Sequence, residues 1–457
     1  MYRLCRVIGA VVFLLCHFSP LSWAQEEIKI GFLGPLTGWA TVYGQYVLEG
    51  IQLFLEEVGY QFNGVPIKLI TADTKGESER VVIILDAFKY RDQVDVIIGP
   101  SLGHEGIAAA DWALRNPDIP ILIGYSAPED ITMRLHSRNV LRPGWSAPQT
   151  IMHFGWYVAK VLGYKKIIMV GQDYAYPWDQ AAGFIRGFLE NGGEEVLRIW
   201  HEVELMDFGA IMLQLQSLAG KYDAVLYNGA GGPAIAFFKA WVEFGMNQFY
   251  PQVLGQSNFT DPAVLQEYGP EAVGILSTQF YCPQLSNPYN LEFRRKLKER
   301  FGHEFPTYPH VQGYDAIRVL FKALEMVGGN VKDKNALIDA LYQVRMPDSP
   351  RGPWYFDSYG NPIMNIYLQK VVMDERGILV NIPIGTFLEV SQFGPYVGRE
   401  QQYLSQPRND RYYPPGKRAE YMAEIAKYLG PEYLALLEKH GGWPPEAVRF
   451  VEGEPKW

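Results

Sequence analysis

The chain predicts an α/β protein of two doubly wound lobes, each with a parallel-sheet core, joined by multiple crossings and followed by a helical C-terminal extension. Three observations lead there. From Glu27 onward, short apolar runs rich in β-branched residues alternate with longer stretches of helical periodicity, the pattern of a parallel sheet covered on both faces. The series restarts after Arg142-Pro143-Gly144 and again past Gly274, so the chain crosses between lobes more than once. From about Tyr396 the composition shifts to Gln, Pro, Tyr and Arg and the alternation stops.

The first strand is Ile28 to Leu33, and the helix after Gly44 turns a stripe of Val47, Ile51, Phe54 or Leu55, and Val58 inward. A strand at Ile67 to Thr71, a helix near Glu77 to Lys89, a strand at Val94 to Ile98, a helix from His104 to Arg115 and a strand at Pro120 to Ile123 follow. The second series has a helix near Pro148 to Leu162, a strand at Lys166 to Val170 and a helix near Trp178 to Glu190. Further strands lie at Val196 to Trp200, Ala224 to Tyr227 and Gln252 to Gly255. Past Gly274, a strand at Ile275 to Thr278 and helices near Leu291 to Arg300 and Gln312 to Val327 repeat the manner of the first lobe. Arg351 to Asp357 and Met364 to Val372 read as strands, the second turning at Asp374-Glu375-Arg376-Gly377.

In the tail, a helical segment runs from Lys417 to about His440, with Tyr421, Ile425, Tyr428 and Leu429 on one stripe and Leu434 and Leu437 beyond a break at Gly430-Pro431. Such a tail docks on its own body or offers a surface to a partner. The expected division is 25–143 and 257–343 for the first lobe, 144–256 and 344–395 for the second lobe with its crossing, and 396–457 for the extension.

Residues 1–24 read as an export signal that is cut away. Arg3 and Arg6 give the positive start, Val7 to Leu15 the apolar run, and Ser22-Trp23-Ala24 the small residues of a cleavage site that leaves Gln25 first. The apolar run is well short of the roughly 20 residues of a spanning helix, and no later segment reaches that length. The mature chain is therefore expected outside the cytoplasm and not membrane-spanning. Cys5 and Cys16 fall in the signal, leaving Cys282, so neither an internal disulfide nor a cysteine metal site is expected. The formal net charge is −9 over 457 residues, and loss of two arginines with the signal makes the mature chain more acidic still. Such a surface gives no footprint for nucleic acid.

Catalytic constellations are missing. The sequence has no G-x-S-x-G elbow, no G-x-x-x-x-G-K-[ST] phosphate loop and no H-E-x-x-H helix. Its 8 histidines are scattered. The stretch Gly229-Ala230-Gly231-Gly232-Pro233 follows a strand and opens a helix but lacks dinucleotide spacing; it reads as a cleft loop around Ala230, or as a plain tight turn. No enzyme activity, cofactor or metal is expected.

Ile28-Lys29-Ile30-Gly31, Gly34-Pro35-Leu36-Thr37-Gly38 and Tyr43-Gly44 resemble the opening of the branched-chain amino-acid-binding (leucine-binding) family of periplasmic proteins, the solute-binding proteins of ABC transporters. Ile98-Gly99-Pro100, Ser126-Ala127-Pro128, Tyr176, Gly313-Tyr314-Asp315-Ala316, Gly352-Pro353, Phe356-Asp357 and Gly360 follow in family order, and the likeness ends near Val390. The resemblance implies a type I periplasmic-binding fold, closure on a small-molecule ligand, a periplasmic location and ABC permease subunits as partners.

Ligands of open α/β sheets bind beyond the carboxyl ends of strands, so two facing lobes place those loops across one cleft. Ser126, after the strand ending at Ile123, offers a hydroxyl and nearby amides to a ligand oxygen, and matches the family's ligand-gripping hydroxyl; a plain turn serine is the alternative. Gly103 falls where the resemblance implies a ligand-binding serine, at a helix start whose free N–H groups favour an anion, and His104 is a neighbouring substitute. The resemblance makes Tyr43 the aromatic that closes over the ligand. Trp39 and Tyr125 are neighbours, Tyr176 and Trp178 approach from the second lobe, and Tyr314 forms a floor. Some of these aromatics will instead pack within a lobe.

Where amino-acid-binding members place a carboxylate for the ligand's ammonium, this chain has Ser257. A buried ammonium without an anionic partner costs several kcal/mol, so the expected ligand is a carboxylated or neutral oxygenated organic molecule, aromatic ones among them. A displaced carboxylate at Asp173, Asp179 or Asp261 would restore the amino-acid alternative. A periplasmic sensor of the same fold is the other.

Overall fold

A computed structural model describes residues 27–453; the expected export signal lies outside them. The first series gives β1 (Ile28–Gly34), α1 (Thr41–Glu57), β2 (Gln61–Phe62), β3 (Val65–Asp73), α2 (Ser78–Asp86), β4 (Val96–Ile98), α3 (Gly103–Arg115), β5 (Ile121–Leu122) and β6 (Val140–Leu141). The strands form one sheet in the order β2-β3-β1-β4-β5-β6, parallel except for the short β2–β3 pair. Ile30, Phe32, Ile97 and Ile121 are fully buried, as continuous apolar strands of a two-faced sheet must be.

The second series gives α4 (Ala147–Lys160), β7 (Lys166–Gln172), α5 (Ala175–Glu190), β8 (Glu195–His201), α6 (Gly209–Ser217), β9 (Ala224–Asn228), α7 (Gly231–Glu243), β10 (Val253–Gly255), α8 (Pro262–Leu265) and β11 (Leu276–Gln279). It continues through α9 (Pro288–Phe301), α10 (Tyr308–Met326), α11 (Lys334–Gln343), β12 (Arg345–Met346), β13 (Trp354–Phe356), β14 (Pro362–Met373) and β15 (Leu379–Val390). The extension adds α12 (Glu400–Leu404), α13 (Arg418–His440) and β16 (Phe450–Glu452). A 10-stranded sheet runs β12-β13-β14-β11-β10-β9-β7-β8, with β15 on β14 and β16 on β15.

One assignment changes. β11, expected with the first lobe, pairs in parallel with β10 and antiparallel with β14 in the second sheet. The return to the first lobe begins only with the helices that follow. α10 lies backbone to backbone on α1: a Cβ on Gly313 would sit 1.9 Å from the Val47 carbonyl oxygen, and one on Gly50 2.2 Å from that of His310. Only glycine permits that approach, and it explains the Gly313-Tyr314-Asp315-Ala316 motif as packing.

The extension docks on the body. The Glu190 carboxylate, at the end of α5, accepts hydrogen bonds from the hydroxyls of Tyr396, Tyr421 and Tyr433 and from the Trp443 indole. The same tail reaches the first lobe, where Tyr403 donates to Glu129 at 2.7 Å and Arg408 pairs with Asp130 at 2.6 Å. α13 breaks at Gly430, whose φ of 76° lies outside the helical region.

Candidate functional site

The carboxyl ends of both sheets face one another across a cavity of about 440 Å³, within the range of small-molecule sites. The first lobe supplies Tyr43 and Tyr46 from α1, Ser101 and Gly103 at the start of α3, and Tyr125 beyond β5. The second supplies Gln172 and Tyr174 beyond β7, Tyr176 in α5, Ala230 to Pro233 at the start of α7, and Asn258 and Asp261 beyond β10. Trp145, from the crossing between β6 and α4, lies between them. Trp39, Val42 and Met206 form an exposed apolar rim.

The lobes touch across this cavity. Tyr125 donates to Asn258 at 3.0 Å, and Tyr43 faces the turn at Gly231, where a Cβ would lie 3.8 Å from its hydroxyl oxygen. The aromatic wall is continuous: Tyr43 stacks on Tyr125 at 5.9 Å and 11°, Tyr125 meets Trp145 edge-on at 6.0 Å, and Trp145 meets Tyr176 at 5.5 Å and 83°. Burial holds the hydroxyls of Tyr43, Tyr125 and Tyr176 far above the ordinary phenol range, so all are neutral donors.

Two donors on this wall lack a partner. The Ser101 hydroxyl and the Trp145 indole nitrogen are buried and unbonded. Ser101 lines the cavity two residues before Gly103, where a Cβ would meet Pro128 at 3.2 Å and Tyr176 at 3.4 Å. The start of α3 adds free amides and the positive end of its dipole. One buried carboxylate, Asp261, faces the same space; burial pushes its carboxyl up to about 7, against hydrogen bonds from the amides of Ala263 and Tyr308. The other two carboxylates considered lie elsewhere: Asp173 pairs with Arg411 at 2.7 Å, and Asp179 accepts from the Glu129 amide at 3.0 Å.

Of the residues expected at the site, Trp39, Tyr43, Gly103, Tyr125, Tyr176 and Ala230 line the cavity. Five do not. The Ser126 hydroxyl points under α3, 2.0 Å from where a Cβ on Gly106 would be, and bonds the Gly103 carbonyl. His104 turns away to the Gly76 carbonyl at 2.8 Å. Trp178 donates to Asp173 and lies beneath Arg411 of the tail. Ser257 bonds Thr150 of α4 at 2.9 Å, behind Tyr176. Tyr314 packs between Phe54 and Phe293 with its hydroxyl on Glu57. Ser101, Trp145, Asn258 and Tyr46 were not singled out by the sequence, although Ser101 lies in the helix-start segment Pro100 to Gly103 and Asn258 follows Ser257.

Outside the cavity, Glu49, His303 and His310 bring three possible metal-ligand atoms within 4.8 Å. His310 Nδ1 accepts the Thr307 amide at 3.0 Å, which leaves its Nε2 as the N–H donor to Glu49 at 3.0 Å. A cation on that Nε2 needs its lone pair, which this tautomer does not offer. The cluster reads as a clasp between α1 and α10.

A family profile described as periplasmic binding protein matches residues 27–376. The chain belongs to the periplasmic binding protein family. A relative named Leu/Ile/Val-binding protein homolog 6, from Brucella melitensis, is 26% identical over 365 residues, covering 79% of this chain and 92% of its own length. A solute-binding protein of an ABC transporter from Rhodopseudomonas palustris BisB5, solved with 3,4-dihydroxy benzoic acid, superposes with a TM-score of 0.74 at 27% identity, over 80% of this chain and 98% of its own. Another from R. palustris, solved with benzoate, gives a TM-score of 0.71 at 26% identity, over 78% and 96%. The chain is thus a type I periplasmic binding protein of the kind that serves ABC transporters.

Proposed function

We propose that this periplasmic binding protein is exported to the periplasm behind its cleaved signal, captures a carboxylated aromatic molecule between its lobes, and hands it unchanged to the permease of an ABC importer. The observation that carries the ligand class is the pairing of a continuous aromatic wall with two buried donors, Ser101 Oγ and Trp145 Nε1, that have no acceptor. An unsatisfied buried donor costs about 1–3 kcal/mol, and a ligand carboxylate that reaches Ser101 and the start of α3 as the lobes adjust would recover it. The flat faces of Tyr43, Tyr125, Trp145 and Tyr176 suit a ring. The two R. palustris neighbours solved with aromatic acids support the same class.

A second reading rests on Asp261, whose buried carboxylate would pair with the ammonium of an amino acid. The name of the Brucella relative points the same way. Calorimetric titration separates the two. The first reading expects low-micromolar or tighter binding of at least one aromatic acid among benzoate and its hydroxylated forms, and none of leucine, isoleucine or valine. Submicromolar binding of a branched-chain amino acid with no aromatic acid bound would overturn it.

A further inference from the structure

Asp261 is the one buried carboxyl among the described residues that line the cavity, and no cation in the fold pairs with it. It caps the short helix α8, accepting the Ala263 amide at 2.8 Å on one oxygen and the Tyr308 amide at 3.3 Å on the other. Asparagine can keep the Ala263 cap through its single carbonyl oxygen and would bury no ionisable group, although its amide nitrogen cannot accept from Tyr308. Only 2% of Asp261 is exposed, and no lysine, arginine or histidine among the described residues pairs with it. The titratable groups that face it are Tyr43 and Tyr46 on α1, Tyr125 beyond β5, Tyr268 beyond α8 and Tyr308 at the head of α10. Three of these hydroxyls are committed to other acceptors: Tyr125 to Asn258, Tyr268 to the Phe259 carbonyl, and Tyr308 to Gln369. A carboxylate offers about four acceptor sites. Two are occupied by backbone amides, and no side chain among the described residues donates to the others.

We propose that Asp261 is the specificity-determining residue of the cleft: it accepts a hydrogen bond from a ring hydroxyl of the ligand, so that hydroxylated aromatic acids are selected over the unsubstituted acid. This rests on the aromatic-acid reading above. The two ends of such a ligand meet opposite walls. Its carboxylate lies at Ser101 and the start of α3 in the first lobe, and its hydroxyl lies at Asp261 in the second. A ring without a hydroxyl leaves the buried carboxylate unpaired, which is why discrimination by an absent donor exceeds discrimination by size.

The test needs no variant to begin. Benzoate, meta- and para-hydroxybenzoate and the methyl ether of each are titrated into the intact mature chain by calorimetry. The ether keeps the oxygen and removes the proton. At a pH above about 7, where the carboxyl is ionised, at least one hydroxybenzoate is expected to bind about tenfold or more tighter than both benzoate and its own ether, as a hydrogen bond to a charged acceptor gives. In D261N, which keeps the helix cap, that ratio falls to within about threefold, while benzoate itself binds no worse. Equal binding of hydroxybenzoate, ether and benzoate to the wild type, or a preference that survives D261N, overturns the role of Asp261 and leaves the aromatic-acid reading standing. Absence of binding by every aromatic acid overturns both. Leucine binding lost in D261N would make Asp261 an ammonium partner and overturn the hydroxyl assignment.

Discussion

Two buried carboxylates of the second lobe, Glu190 and Asp261, sit among aromatic side chains and are treated in opposite ways. Glu190 receives four side-chain donors, from Tyr396, Tyr421, Tyr433 and Trp443. Its capacity is filled, and no space is left beside it. Asp261 receives two backbone amides and borders a cavity in which two donors also lack partners. The same chemistry, a carboxylate within an aromatic shell, is a structural knot where every bond is made. Where bonds are left open, it is the binding site we propose.

The largest effect is expected at the knot. Glu190→Leu strands four buried donors at once and should cost about 3–5 kcal/mol of stability, read by urea denaturation and accompanied by early proteolytic release of the tail from about residue 396. A loss below about 1 kcal/mol would show that the knot is not saturated in solution. A smaller effect is expected at Asp261. Burial raises its carboxyl from 3.8 to about 7, so the folded chain holds the proton more tightly than the unfolded chain. Its contribution is complete below the unfolded value and is lost as pH rises through about 7. The stability difference between wild type and D261N, measured by denaturation across that window, should therefore shift toward D261N by up to a few kcal/mol as pH rises. No pH dependence of the difference would place Asp261 in contact with water. The smallest effect is expected from Ser101→Ala, which removes one donor to the ligand carboxylate and should weaken binding of an aromatic acid by about 3- to 30-fold without lowering stability.

The sheets were legible because apolar runs of β-branched residues and helical periodicity are local signals. The lobe assignment of β11 was not. An apolar strand carries no address, and its second partner, β14, lies some ninety residues further along the chain. At the site, Tyr43, Tyr125 and Tyr176 could be named from motif and loop position. Ser101 and Trp145 could not, because what marks them is a bond that is not made, and a sequence does not display absent bonds. Ser126 failed for the converse reason: Gly106 beneath it opens a place for its hydroxyl under α3, a contact set by two segments twenty residues apart. The tail's stripe predicted docking, but not that a single glutamate on α5 would gather four of its side chains.

The central claim is that one ligand is held by both lobes at once, and the most direct measurement is a calorimetric titration of an aromatic acid into Tyr43→Ala and Tyr176→Ala beside the wild type. Tyr43 stands on the first lobe and Tyr176 on the second, both buried at the cavity wall. Each truncation should cost about 1–3 kcal/mol of binding, read at a temperature well below the lowered melting point that loss of a buried aromatic brings. Wild-type affinity in either variant would contradict a ligand clasped between the lobes.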